Sequence, residues 1–198
     1  MKYKQKPKIP TDESVHHYVN LFDNTEPTYA EDRVRDRMME HFDWSFEDIY
    51  AAVVVVNDLF GTQLRNTFTM ARHIFAHKDE IRRATDAGLP NVVAIIARGH
   101  GIQRRGCKES VLYSFATKFC HWLRPDTYVI FDSYVEKLLK LYNKEFSFVS
   151  ETGDIRDYAV FKSFADSFVK HFDLHCTYRQ LDKFLWWYGS KEIFGDNE

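Results

Sequence analysis

The sequence has little from which to build a disulfide framework, a membrane span or a nucleotide-binding loop. Its three cysteines, Cys107, Cys120 and Cys176, are odd in number and not closely paired. That excludes a stapled scaffold and points to reduced thiols. No apolar targeting stretch opens the chain, and the longest apolar run, Tyr50 to Val56, is far too short to cross a bilayer. A soluble, cytoplasmic protein without membrane contact is expected. No glycine-rich phosphate loop follows a strand, no local Ser-His-Asp signature exists, and no cysteine pair has zinc-finger spacing. No cofactor is implied. A strong excess of either charge is also missing, with 27 basic and 29 acidic residues and a net charge of −2. This argues against a chain that coats nucleic acid non-specifically, while leaving room for a local basic site.

What is present is apolar and aromatic. With 44% apolar and 16% aromatic residues, 198 residues suffice for one substantial core. Residues 1–10 carry four lysines, two prolines and no acid, and read as a flexible basic arm ahead of a single domain over 11–194. A phosphate-contacting arm is the other reading of the same residues. Helical spacing then recurs. Val15, Tyr18, Val19 and Phe22 share a face after Thr11. Tyr29 to Phe42 alternates acids and bases along one apolar edge. Ser45 with Asp48 gives a capping signal for a helix over 46–60. Valine runs favour strands, yet the phase of Ile49, Val53, Val56 and Phe60 places 51–56 in a buried helix. Further helices are expected over 64–76, 77–87, 90–97, 157–172 and 178–188. The fold class is therefore all-α, an orthogonal bundle of roughly eight to ten helices, with a possible division into two helical lobes around a cleft.

Residues 107 to 142 place two ionisable side chains, Lys118 and Asp132, among apolar neighbours, which is costly unless the charges are paired or used. On a helix over 110–123, Ser114, Lys118 and His121 fall beside a broad arc holding Phe115, Phe119 and Trp122. Lys118 at that edge is either a snorkelling lysine or one facing a cavity. Arg124-Pro125-Asp126-Thr127 ends the helix, and Tyr128 to Phe131 runs inward before Asp132. Ser133 with Glu136 forms a capping box for the next helix. Asp132 is then released from capping, or it is itself the cap.

The run from Ser114 to Asp132, with its apolar approach to Asp-Ser-Tyr-Val, resembles the helix-hairpin-helix DNA glycosylase superfamily. It looks closest to bacterial proteins of the 8-oxoguanine glycosylase fold. The resemblance covers about 45 residues well. A Leu-Pro-Gly-Val-Gly-type hairpin is missing, and the only Gly-x-Gly lies upstream at Gly99-His100-Gly101. The resemblance implies that Asp132 supports departure of a flipped base. It also makes Lys118, or Lys108 further upstream, the candidate nucleophile.

That chemistry would use aromatic walls for an extruded base and cations for the backbone. Ser114, His121, Trp122, Tyr128 and Tyr134 are the expected base pocket, and Arg98, His100, Arg104, Arg105 and Lys108 the expected contacts to double-stranded DNA. A solvated basic loop is the plainer reading of 98–108. His73 with His77, His171 with His175 and Cys176, and His16 with His17 are read as core or surface histidines rather than a metal site. The expected activity is N-glycosidic bond cleavage at a modified or damaged base. The alternative is a non-catalytic nucleic-acid- or protein-binding module of the same fold.

Overall fold

A computed structural model describes residues 3–25, 29–99, 112–151 and 153–195. Among them are ten α-helices, one π-helical turn and no strand. The all-α expectation therefore holds. The chain divides into two compact units: Met1–Tyr29 with Val129–Glu198, and Ala30–Tyr128.

The first unit contains α1 (Asp12–Thr25), α8 (Ser133–Phe146), α9 (Tyr158–His171), α10 (Tyr178–Trp187) and the π-turn Tyr188–Ile193. Helix α1 runs to Thr25, beyond the end expected from its apolar face. Helix α10 packs on α1 and α8, and the π-turn extends it against α8. The shared core is Val15, Leu138, Leu139, Leu181, Phe184 and Leu185, all essentially inaccessible. Tyr142, Phe168 and Phe172 join α8 to the end of α9 through ring contacts of 5.0 to 5.7 Å. A complete capping box starts α10, in which Thr177 and Gln180 exchange hydrogen bonds with each other's backbone amides.

The basic arm is tied into this unit. The Lys4 amide donates to the Ile193 carbonyl at 2.7 Å, the Lys8 amide to the Tyr188 hydroxyl at 3.0 Å, and the Tyr142 hydroxyl to the Lys8 carbonyl at 3.0 Å. Pro7 and Pro10 are buried. Prolines lack the N–H that such a docked, extended segment would leave unpaired. Lysine count alone suggests a loose arm; the backbone of Lys4 and Lys8 and the buried Pro7 and Pro10 supply its anchors.

The second unit contains α2 (Tyr29–Met39), α3 (Phe46–Leu59), α4 (Thr67–Ala76), α5 (Lys78–Asp86), α6 (Asn91–Ala97) and α7 (Tyr113–Leu123). Ser45 caps α3 as expected, its hydroxyl accepting from the Asp48 amide at 3.1 Å. Such a cap contributes about 1 kcal/mol. Helix α4 starts at Thr67 with Asn66 as its cap, three residues later than the apolar phase suggests, because Asn57 binds the Leu64 amide and holds that stretch as a loop. Helix α7 packs on α3 and α6 and is buried at every position except the half-buried Ser114.

Candidate functional site

Asp132 owes its place to three buried residues before it. Val129, Ile130 and Phe131 enter the first unit with side chains almost wholly removed from water. The Tyr158 hydroxyl donates to the Val129 carbonyl at 3.1 Å, the Phe131 ring meets Phe161 edge-on at 5.2 Å, and the Arg156 guanidinium lies 4.8 Å from the Phe131 ring centre. A segment held at its carbonyl and side chains fixes where its next residue emerges.

Asp132 itself has extended backbone angles and is the N-cap of α8. Its carboxylate accepts from the Tyr134 amide at 2.9 Å, and its carbonyl accepts from the Glu136 amide at 2.8 Å. The Ser133 capping box is thereby corrected: Ser133 is the first helical residue, and the aspartate one position earlier does the capping. Two adjacent residues are both good caps, and the inward run of 129–131 decides between them by setting the backbone angles at 132. The carboxylate is half-buried at the positive end of a helix dipole.

Tyr134 opens onto a group of rings that sequence reasoning missed. Its ring contacts Trp186 at 6.4 Å and Phe194 at 6.5 Å, and Trp186 in turn meets Phe22 edge-on at 5.5 Å. Tyr134, Trp186 and Phe194 are each only partly buried. Lys137 lies over Tyr134 at 5.3 Å, and Lys191 lies 5.8 Å from the ring centres of both Trp186 and Trp187. The π-turn Tyr188–Ile193 brings Lys191 back toward these tryptophans. Half-exposed rings beside ammonium groups are suited to stacking a base while neutralising a phosphate. The Trp186-Trp187 pair was visible in sequence, but nothing local linked it to Tyr134.

The remaining expected residues belong to the second unit. Lys118 is 6% exposed, and its Nζ donates to the Phe60 carbonyl at 3.3 Å. The edge position expected from helical phase is corrected, since α7 is covered on all sides. His121 is buried with Nδ1 2.7 Å from the Tyr128 carbonyl, and the Thr117 hydroxyl donates to the Ser114 carbonyl. Trp122 is 1% exposed, and its carbonyl accepts from Arg35 at 2.7 Å. The Tyr128 hydroxyl donates to the Leu89 carbonyl at 3.2 Å, and burial raises its pKa well above the ordinary phenol value. These side chains form the interior of a helical unit. Enclosed this way, Lys118 presents almost no surface to a nucleotide's sugar. No borohydride-trapped adduct between this protein and DNA is therefore expected, and an adduct lost in Lys118→Met would reverse that assignment.

Arg98 is exposed at the C-terminal end of α6, while His100, Arg104, Arg105, Cys107 and Lys108 lie outside the described residues. Burial raises the pKa of the Cys120 thiol strongly and pushes that of Cys176 up to about 11, so both are held as thiols. The His73 Nε2 is 2.8 Å from the Ile95 carbonyl, and the His77 Nδ1 is 2.9 Å from the His73 carbonyl. Among the described residues, no three His, Cys, Asp or Glu side chains converge as metal ligands, and no helix is long and apolar enough to cross a membrane.

Comparison with known proteins adds relatives. The family described as HI_0787_N, N-terminal domain, matches residues 14–127. A protein of Haemophilus influenzae, described as uncharacterized, is 32% identical over 153 residues, covering 77% of this chain and 71% of the relative. No solved structure matches.

Proposed function

We propose that this chain, which belongs to the HI_0787_N family, is a DNA glycosylase-like enzyme that hydrolyses the N-glycosidic bond of a flipped, modified or damaged nucleotide. One observation carries the reading. A carboxylate is delivered by a buried three-residue segment to the N-terminus of a helix, two residues before a half-exposed tyrosine with an aromatic and cationic surround. In the reaction the C1′–N bond breaks with its electron pair leaving on the base. Positive charge develops on the sugar, water adds at C1′, and the proton it gives up ends on the departing base. Asp132 stabilises that charge, or orients the water, from the N-terminus of α8. Tyr134 and Trp186 hold the extruded base by stacking.

The enclosure of Lys118, 6% exposed, supports simple hydrolysis over an imine pathway. The capping role of Asp132 supports a second reading, a non-catalytic binding module in which this carboxylate only starts α8.

Backbone binding tests the partner. If Arg98, Arg104, Arg105 and Lys108 each neutralise one phosphate, duplex affinity falls about 150-fold between 50 and 200 mM salt, since each contact contributes roughly −0.9 to the logarithmic slope. Fluorescence anisotropy with a labelled duplex measures this directly. Absence of duplex binding at low salt would remove DNA as the partner.

A further inference from the structure

Phe46, Tyr50 and Val54 recur every four residues on α3, and Phe68 and Phe75 stand seven apart on α4. Helical phase alone would place such residues in a core. Instead Phe68 is 50% exposed, Val54 40%, and Tyr50 and Phe75 37% each. Their rings join into one face. Phe46 stacks on Tyr50 at 6.1 Å and meets Phe68 and Phe75 edge-on at 5.5 and 5.6 Å, while Tyr50 meets Phe68 at 5.7 Å. Scattered exposed apolar residues need no explanation, but a contiguous aromatic face marks an interaction surface.

The edges of this face differ in charge. At 100° per residue, the exposed Glu47 and Asp58 fall on the outer side of α3, just beyond Val54. On α4 the exposed Arg72 falls on the outer side of Phe68 and Phe75. Phe46 touches both Phe68 and Phe75, so the start of α3 lies level with Arg72.

We infer that this face is a dimer interface occupied by a second copy of the chain, related by a two-fold axis running along the groove between α3 and α4. Rotation about that axis lays α3 of one protomer over α4 of the other, ring face on ring face. Glu47 then stands opposite Arg72 of the partner subunit, and the pairing is repeated by symmetry. A surface with one acidic and one basic edge is complementary to its own rotated copy. A foreign helix would have to carry both charges in the reverse order.

Sedimentation velocity of the full chain over a range of micromolar concentrations tests this. A reversible monomer–dimer equilibrium is expected. Phe68→Asp should weaken it at least roughly thirtyfold, as loss of a central interface anchor does, with far-UV circular dichroism unchanged. Arg72→Glu should weaken dimerisation, and Glu47→Lys on the same chain should restore it. A monomer at every concentration overturns the inference. So does a dimer indifferent to Phe68→Asp, or one that the reciprocal charge exchange fails to restore.

Discussion

Replacing Asp132 by asparagine is expected to lower base release by about 10²- to 10³-fold, the range seen when a group that stabilises developing charge is removed. Folding stability should change by less than about 0.5 kcal/mol, because asparagine caps helices about as well as aspartate. The retained side-chain oxygen can still accept from the Tyr134 amide, as the carboxylate does at 2.9 Å. Only the negative charge is lost. Asp132→Ala removes cap and charge together and should destabilise by about 1 kcal/mol. The pair of variants therefore separates the two roles of this residue. Thermal melts and single-turnover base release, run side by side, make the comparison. Unchanged release in Asp132→Asn would reduce Asp132 to a helix cap.

Phe131→Ala should cost about 3–5 kcal/mol, the usual loss for a large aromatic removed from a core. Phe131 is 3% exposed and packs against Phe161 and under Arg156. The consequence reaches the site, since Phe131 is the last anchored residue before Asp132. Base release should fall even where the variant remains folded, because the carboxylate loses its rigid approach. Phe131→Leu keeps most of the apolar volume and should lose much less of both. Urea unfolding gives the stability change. A loss below about 1 kcal/mol for Phe131→Ala would mean that the segment is not anchored through this ring.

Local features were readable from sequence where a short stretch carries its own physical signal. Ser45 and Asp48 specified the start of α3, and the phase of Ile49, Val53 and Val56 outweighed the strand preference of the valines. The inward run before Asp132 also placed a helix start correctly to within one residue. What sequence could not supply was the covering of a helix by distant chain. The phase of Lys118 put it beside an apolar arc, but the carbonyl that receives it belongs to Phe60, 58 residues away. Nothing in α7 announces that its polar stripe is buried as well. The same limit hid the ring group around Tyr134, because its partners Trp186 and Phe194 come from the far end of the chain. The aromatic face of α3 and α4 shows the converse. Its period is that of a core helix, and only the packed structure reveals that those rings face water.

Lys118 and Asp132, expected as a catalytic pair, have different surroundings. The lysine is bonded to a backbone carbonyl inside the second unit. The aspartate remains at a half-buried helix start in the first. The chemistry we propose is hydrolysis centred on one carboxylate.

Its most direct measurement is single-turnover incubation of the wild-type protein, at low salt, with duplexes carrying a panel of modified and mismatched bases. Free base and abasic product are separated and counted. The predicted result is release of free base from at least one duplex, leaving an intact abasic strand without borohydride-trappable adduct. Binding of the same duplexes with no base released from any of them would contradict it.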